Sequence, residues 1–422
     1  MEVQGDRPGL CRWSGAARPV AGRQYLTTRS RWANRRDRPV VVVHSGHSHF
    51  MSAVPDLAPP PYRIALPTGQ LTIRVDHSRW PLDALCDFAA RENPKRGYLV
   101  VSRVLGRHLP ARPSVMRRSV RDLASAIPAD MPGPVLVIGL AETAVCLGQT
   151  LHEEWQRLTG REDAGFIHST RQTVDAPLLC RFEEPHSHAS AHLIYRPQFD
   201  ALACPRSLVI VDDEISTGTT LRNLAAALIT EWPQVERVVV ATLTDWTAGT
   251  ERWSAMPRPT EVVSLLRGQL DWTPATDHHS DPGFEARAGS LGTMPTHINY
   301  GRLGRSDSPN ILPVEPLPDG IEPLRIIGTG EFTYLPFRLA ERLEEAGRDV
   351  VVQATSRSPA RIGGAMVTKL CFGDNYDTGV ANYLYNADPA DGRANWICHE
   401  TPIASVDPAL ISALDASVLG WR

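Results

Sequence analysis

The sequence predicts an α/β fold, a mostly parallel sheet flanked by helices, with a second, smaller α/β domain after it. Three stretches predict it. Leu208 to Val211 is an unbroken apolar run, as a strand buried on both faces requires, and a polar turn and a helix pattern follow at once. Residues 134–148, PVLVIGLAETAVCLG, repeat the order of strand, loop and helix. From Leu324, LRIIGTGEFTYLPFRLAERLEEAGRDVVVQATSRSP gives strand, glycine turn, helix and strand again, which opens the second unit.

Composition narrows the function classes. At 422 residues the chain exceeds one typical domain. A formal net charge of -3 argues against a generic nucleic-acid binder, so no nucleic-acid partner is expected. The cysteines, Cys11, Cys86, Cys146, Cys180, Cys204, Cys371 and Cys398, are scattered without a Cys-x-x-Cys pair. That disfavours a disulfide framework or a zinc ribbon and makes a reducing cytoplasm the simplest home. No apolar run approaches the ~20 residues of a membrane span, and no secretory signal opens the chain, so no membrane is expected.

In chain order, residues 1–58 are rich in arginine, poor in acids and end in a proline run, which reads as a flexible leader. Met51 offers a later start, and His44, His47 and His49 read as part of a solvated tail rather than a metal site. Residues 59–273 form the first domain. It begins with the alternation Leu71, Ile73, Val75, then a helix candidate over Pro81–Arg91. Next, Lys95, Arg96, Arg103, Arg107 and His108 flank an apolar strand and face either a polyanion or solvent. Val235–Thr242 and Glu261–Leu266 read as further strands. Residues 274–320 look like a linker, with Arg302 and Arg305 placed to touch a ligand across the boundary. Residues 321–422 form the second domain. Its Gly328-Thr329-Gly330 turn lacks the acidic residue that would close a dinucleotide site. Thr355-Ser356-Arg357-Ser358-Pro359 suits a phosphate or a plain turn, and Asp374–Asn386 could line a small-molecule pocket.

The chemistry concentrates after Val211. A buried parallel strand delivers Asp212 and Asp213 to its C-terminal end, where open α/β sheets bind ligands. Carboxylates there can accept hydrogen bonds from paired sugar hydroxyls. Ser216, Thr217, Gly218, Thr219 and Thr220 then supply hydroxyls, a flexible glycine and the free amides of a helix N-terminus, which together suit a phosphate. The missing Gly-Lys-Ser/Thr excludes a Walker loop.

This run of acid pair, Thr-Gly-Thr-Thr turn and helix resembles the loop for phosphoribosyl pyrophosphate (PRPP) in type I phosphoribosyltransferases. The resemblance implies PRPP and a base-like acceptor as partners, Mg2+ carried on PRPP near Asp212 and Asp213, and a homodimer. It also implies that Gly139, Leu140, Ala141, Glu142 and Thr143 cup the pyrophosphate through backbone amides, where Ala-Glu-Thr departs from the usual basic or glycine-rich loop. Glu142 there orients a magnesium-bound water or a neighbouring arginine, or caps the helix. Residues 166–195 correspond to a mobile hood from which Arg171, then His186, His188 and His192, would reach the pyrophosphate. The three histidines also have zinc-ligand spacing, and Glu183 and Glu184 could bind hood to body by ion pairs. The layout as a whole resembles orotate-phosphoribosyltransferase-like proteins of tellurium-resistance gene clusters, whose C-terminal domain is named for a Thr-Arg-Ser-Pro signature. Here Thr355–Pro359 carries one extra serine. Two rival readings stand beside the transferase: a PRPP-sensing regulator without catalysis, and a C-terminal domain with a catalytic step of its own.

Overall fold

The two largest sheets among the described residues are each built around parallel strands whose C-terminal ends carry the polar loops. The computed structural model describes residues 60–91, 96–183, 191–199, 202–247, 249, 251–275, 292–294, 300–306 and 320–421. The expected leader, Lys95, Glu184, His186, His188 and much of the 274–320 segment lie outside these residues. Residues 61–422 form one compact unit.

The elements of its first part are β1 (Tyr62–Leu66), β2 (Gly69–Ser78), α1 (Leu82–Leu85), β3 (Cys86–Arg91), β4 (Tyr98–Ser102), α2 (Pro113–Ala124), β5 (Val135–Gly139), α3 (Ala144–Thr159) and β6 (Ala164–His168). Then come β7 (Gln172–Val174), β8 (Leu178–Glu183), β9 (Ala191–Tyr195), β10 (Ser207–Ile215), α4 (Thr219–Glu231), β11 (Arg237–Asp245), β12 (Thr260–Pro274) and β13 (Gly292–Met294). The second part holds β14 (Leu324–Gly328), α5 (Tyr334–Glu345), β15 (Val350–Ala354), β16 (Ala360–Gly364), β17 (Lys369–Gly373), β18 (Ala381–Tyr385), β19 (Ala394–His399), α6 (Pro408–Leu414) and β20 (Ser417–Gly420).

The larger sheet has the order β1-β2-β12-β11-β10-β5-β6. Strands β6, β5, β10, β11 and β12 are parallel, and β2 and β1 add an antiparallel edge. All of Val135–Ile138 and Leu208–Val211 is fully buried, which explains their unbroken apolar runs. The chain leaves β5 through α3 to β6 on one side of the pair β5/β10, and leaves β10 through α4 to β11 on the other. The C-terminal ends of β5 and β10 therefore flank a topological switch point, where the two departing loops open a crevice.

The smaller sheet, β15-β14-β19-β20, is wholly parallel and repeats the arrangement, with its switch point between β14 and β19. The two parts share their cores. Ala111, Met116 and Cys146 pack in one cluster with Leu324, Phe337 and Val352. Strand β16 pairs with β3, so the small sheet β16-β3-β4 contains strands from both parts.

Three expectations need correcting. Pro81–Arg91 is not a helix beyond the single turn α1. Phe88, Ala89 and Ala90 are consecutive buried residues of a strand covered on both faces, and pairing with β4 and β16 overrides the helix-like spacing. Residues 166–168 of the expected hood belong to β6 in the buried sheet, while β8 and β9 form an antiparallel hairpin that packs on α4. In the expected linker, β12 continues to Pro274, β13 pairs with β7, and Arg302 and Leu303 are buried. Its described parts are packed structure rather than a tether.

Candidate active site

Strand β10 ends with Asp212, Asp213 and Glu214 all partly buried, and Thr217 exposed just beyond them. Gly218 caps α4 in the left-handed region, with φ 71°. A Cβ there would lie 3.1 Å from the ring of Trp253, so both the turn and the indole call for glycine. Thr217 Oγ1 lies 3.2 Å from Thr219 Oγ1 and accepts from the Thr219 amide at 3.4 Å, while Arg222 donates to Thr219 Oγ1 at 3.2 Å. Ser216–Thr220 is thus a hydroxyl-lined turn on a helix N-terminus, with a guanidinium within reach.

The loop after β5 meets this turn across the switch point. Thr143 Oγ1 donates to Asp213 Oδ1 at 2.7 Å, which joins the two loops directly. Two of the loop's amides are already used: Leu140 donates to Val211 O at 3.0 Å, and Ala141 donates to Ser169 Oγ at 2.9 Å. The peptide between Ala141 and Glu142 is cis. Ser169, at the end of β6, also lies 3.0 Å from buried His192 Nδ1 through its hydroxyl. His192 in turn stacks on Phe182, with ring centroids 4.7 Å apart. His192 therefore supports the loop from behind.

Of the expected alternatives for Glu142, the structure favours the arginine partner. Its carboxylate lies 3.5 Å from Arg107 Nη1 and 3.5 Å from Arg357 Nε, and it accepts from the Arg357 amide at 3.3 Å. Thr143, not Glu142, is the N-cap residue of α3, and its side chain makes no cap hydrogen bond. Arg107 is neither a solvated cation nor an open anion site. It is 2% exposed and donates to Thr355 O at 2.5 Å, Glu142 O at 2.8 Å and Gly330 O at 3.0 Å. Burial pulls its guanidinium below the ordinary value, with Glu142 and Asp213 pushing back.

Arg96 and Arg103 are likewise engaged. Arg96 pairs with Glu214 and lies 4.9 Å above the Tyr98 ring. Burial raises the Glu214 carboxyl, opposed by Arg96. Arg103 pairs with Asp87. Burial, then the charges of Arg107 and Arg91, bring His108 down to about 3. Arg171 is 7% exposed, and its amide donates to Glu331 Oε1 at 2.6 Å, so its backbone is bound to the second part of the chain.

A small cleft lies beside Asp213 and Glu214, lined also by Leu85, Cys86, Val100, Ser102, Leu243 and Thr244. The sheet β16-β3-β4 contributes three of those residues. It covers the end of β10 in a way that the sequence reading did not anticipate.

An acid pair and a hydroxyl turn thus stand together at the switch point of a mostly parallel α/β sheet. Comparison gives the class: residues 85–269 match the family model described as phosphoribosyl transferase, and residues 321–414 match the TRSP domain that stands C-terminal to it. The chain is thus a phosphoribosyltransferase with a C-terminal TRSP domain. Among solved structures it is similar to adenine phosphoribosyltransferase from Rhodothermus marinus, at 16% identity over 43% of this chain and 94% of that one, with a TM-score of 0.29. It is similar to APRTase from Giardia lamblia at 17% identity over 47% and 96%, with a TM-score of 0.30. A hypoxanthine-guanine phosphoribosyltransferase from Bacillus anthracis matches at 16% identity over 37% and 78%, with a TM-score of 0.24. No curated protein matches. No helix among the described residues is long and apolar enough to cross a membrane.

Proposed function

We propose that the protein transfers the 5-phosphoribosyl group of PRPP to a base-like acceptor and releases pyrophosphate. The observation that carries this reading is the single crevice where the acid pair Asp212/Asp213 and the hydroxyl turn Ser216–Thr220 meet the Gly139–Thr143 loop, joined by the Thr143 to Asp213 hydrogen bond.

In this reading Asp212 and Asp213 accept hydrogen bonds from the ribose hydroxyls. Their charge also favours the cationic ring that forms as the C1–O bond breaks and the electron pair leaves with pyrophosphate. Thr217, Thr219, Thr220 and the α4 amides hold the 5-phosphate. The acceptor nitrogen attacks C1 and then loses its proton to water. Among the described residues no group of three or more His, Cys, Asp or Glu is placed to hold a metal. The donor set instead fits Mg2+ brought in on phosphate oxygens, beside Asp212 and Asp213, where it would neutralise the leaving group.

The domain pairing supports a place in synthesis of a nucleoside-like metabolite within a stress gene cluster of the tellurium-resistance type. None of the six described cysteines forms a disulfide, which supports a reducing cytoplasm. The homodimer rests on the resemblance, and sedimentation of the full chain would remove it if only monomer is seen.

Calorimetric titration with PRPP, with and without Mg2+, tests the site. Magnesium-dependent binding that Asp212→Asn/Asp213→Asn abolishes is the expected result. Asp213→Asn alone should lower turnover by roughly 10²-fold with the fold intact. Wild-type binding without acceptor-dependent pyrophosphate release would leave a PRPP-sensing regulator instead.

A further inference from the structure

The arginine of the Thr355–Pro359 signature reaches Glu142 in the loop after β5 of the larger sheet. Thr355 to Pro359 follows β15, and its turn is docked on the first part of the chain. Arg107 donates to Thr355 O, and Thr355 Oγ1 accepts from the Gly330 amide at 2.8 Å. From that platform Arg357 reaches Glu142 with its backbone amide at 3.3 Å and its Nε at 3.5 Å.

Its other partner is Asp374, at 3.3 Å from Nη2 and 2% exposed. Asp374 accepts from the Thr378 amide at 3.0 Å and from the Thr378 hydroxyl, so the Asp374–Thr378 turn fixes the direction of the guanidinium. The polar stretch over Asp374–Asn386 thus begins with an orienting device for Arg357.

Glu142 is followed directly by Thr143, whose hydroxyl is on Asp213. A force on the Glu142 side chain is therefore applied to the loop that borders the acid pair. Arg107 also grips this loop, but its three carbonyl acceptors commit it to joining the two parts of the chain. Arg357 is the cation with ionic partners only, at distances longer than a tight bidentate pair, and its side chain is 12% exposed.

We propose that Arg357 is a positioning residue of the transferase site: through Glu142 it sets the loop that receives the pyrophosphate of PRPP, so the C-terminal domain completes this site rather than forming one of its own. The proposal rests on the phosphoribosyl-transfer reading. It gives the signature arginine a partner class, the pyrophosphate group, and predicts selectivity between ligands that carry that group and those that lack it.

The test titrates the full chain with PRPP plus Mg2+ and, separately, with ribose 5-phosphate, which keeps the sugar and 5-phosphate but has no pyrophosphate. Arg357→Ala should weaken PRPP on the order of tenfold and ribose 5-phosphate by less than about twofold. Arg357→Lys should recover part of the PRPP loss, since charge returns without the planar fork. Arg393→Ala is the control. Arg393 pairs with Asp349 at 3.1 Å near the opposite end of the same sheet, and its loss should leave both affinities unchanged. Equal PRPP affinity in wild type and Arg357→Ala would overturn the proposal. So would parallel loss of both ligands in Arg357→Ala and Arg393→Ala, which would mark general damage to the domain. A wild type that binds ribose 5-phosphate but not PRPP would also overturn it, and one that binds neither would remove the transfer reading beneath it.

Discussion

The two sheets have the same topological device at their C-terminal ends and fill it differently. Between β5 and β10 the crevice is lined by partly buried acids and an exposed threonine. Between β14 and β19 the equivalent place is packed with the chain's own groups. Arg302 from the segment before β14 donates to Glu400 at 2.9 and 2.7 Å and to Glu331 at 2.9 Å. Tyr376 donates to Glu400 at 2.6 Å, and Thr170 donates to Glu331 at 2.6 Å. One switch point keeps an exposed threonine beside its acids, whereas the other has become a joint between the two parts. This argues against a separate catalytic step in the C-terminal domain.

The comparison breaks most sharply at Arg302. Its side chain is 1% exposed, and those of Glu331 and Glu400 are 2% and 0% exposed, so removing the cation strands two carboxylates in a dry interior. Arg302→Ala should cost about 3–5 kcal/mol of stability, measured by denaturant unfolding. A loss below about 1 kcal/mol would mean that water or a ligand reaches this joint, and that the second switch point is open after all.

The same joint predicts an acid sensitivity. Burial works to raise the Glu331 carboxyl, yet Arg302, His168 and the Arg171 amide bring it down from 4.5 to about 2. A carboxylate depressed in the folded state contributes stability that is present above its unfolded value and is lost as pH falls towards the folded one. Unfolding free energy should therefore fall between about pH 4.5 and 2, and Glu331→Gln should flatten that part of the profile. An unchanged profile in the variant would remove Glu331 from the account.

The crevice between β5 and β10 was legible in the sequence because its parts are contiguous. A buried strand, two acids, a turn and a helix start within one stretch, so local physics fixes their relative positions. The filled joint was not, because Arg302, Glu331 and Glu400 are brought together only by tertiary packing, as are Arg357 and Glu142. The one local sign was glycine. Gly301, with φ 105°, passes so close to Phe166 and His168 that a Cβ would lie 3.1 Å from both rings, which a tether would not require. For Arg171 the resemblance implied a place on a mobile hood, and the structure holds its backbone through Glu331. The strand over Cys86–Arg91 was hidden because its burial on both faces depends on β16, contributed from far along the chain.

The smallest expected effect returns to the crevice between β5 and β10 and asks how much of its shape is set by one residue. Gly218→Ala places a side chain in the left-handed region and 3.1 Å from Trp253. The conformational term costs about 1–2 kcal/mol, and the indole must shift by a few tenths of an ångström to admit the methyl. That cost falls on the turn that presents Thr217 and Thr219, so affinity for ribose 5-phosphate should drop more than global stability does. If the variant unfolds more easily yet binds ribose 5-phosphate as well as wild type, the turn serves only to start α4. The phosphate would then have to be held elsewhere in the crevice.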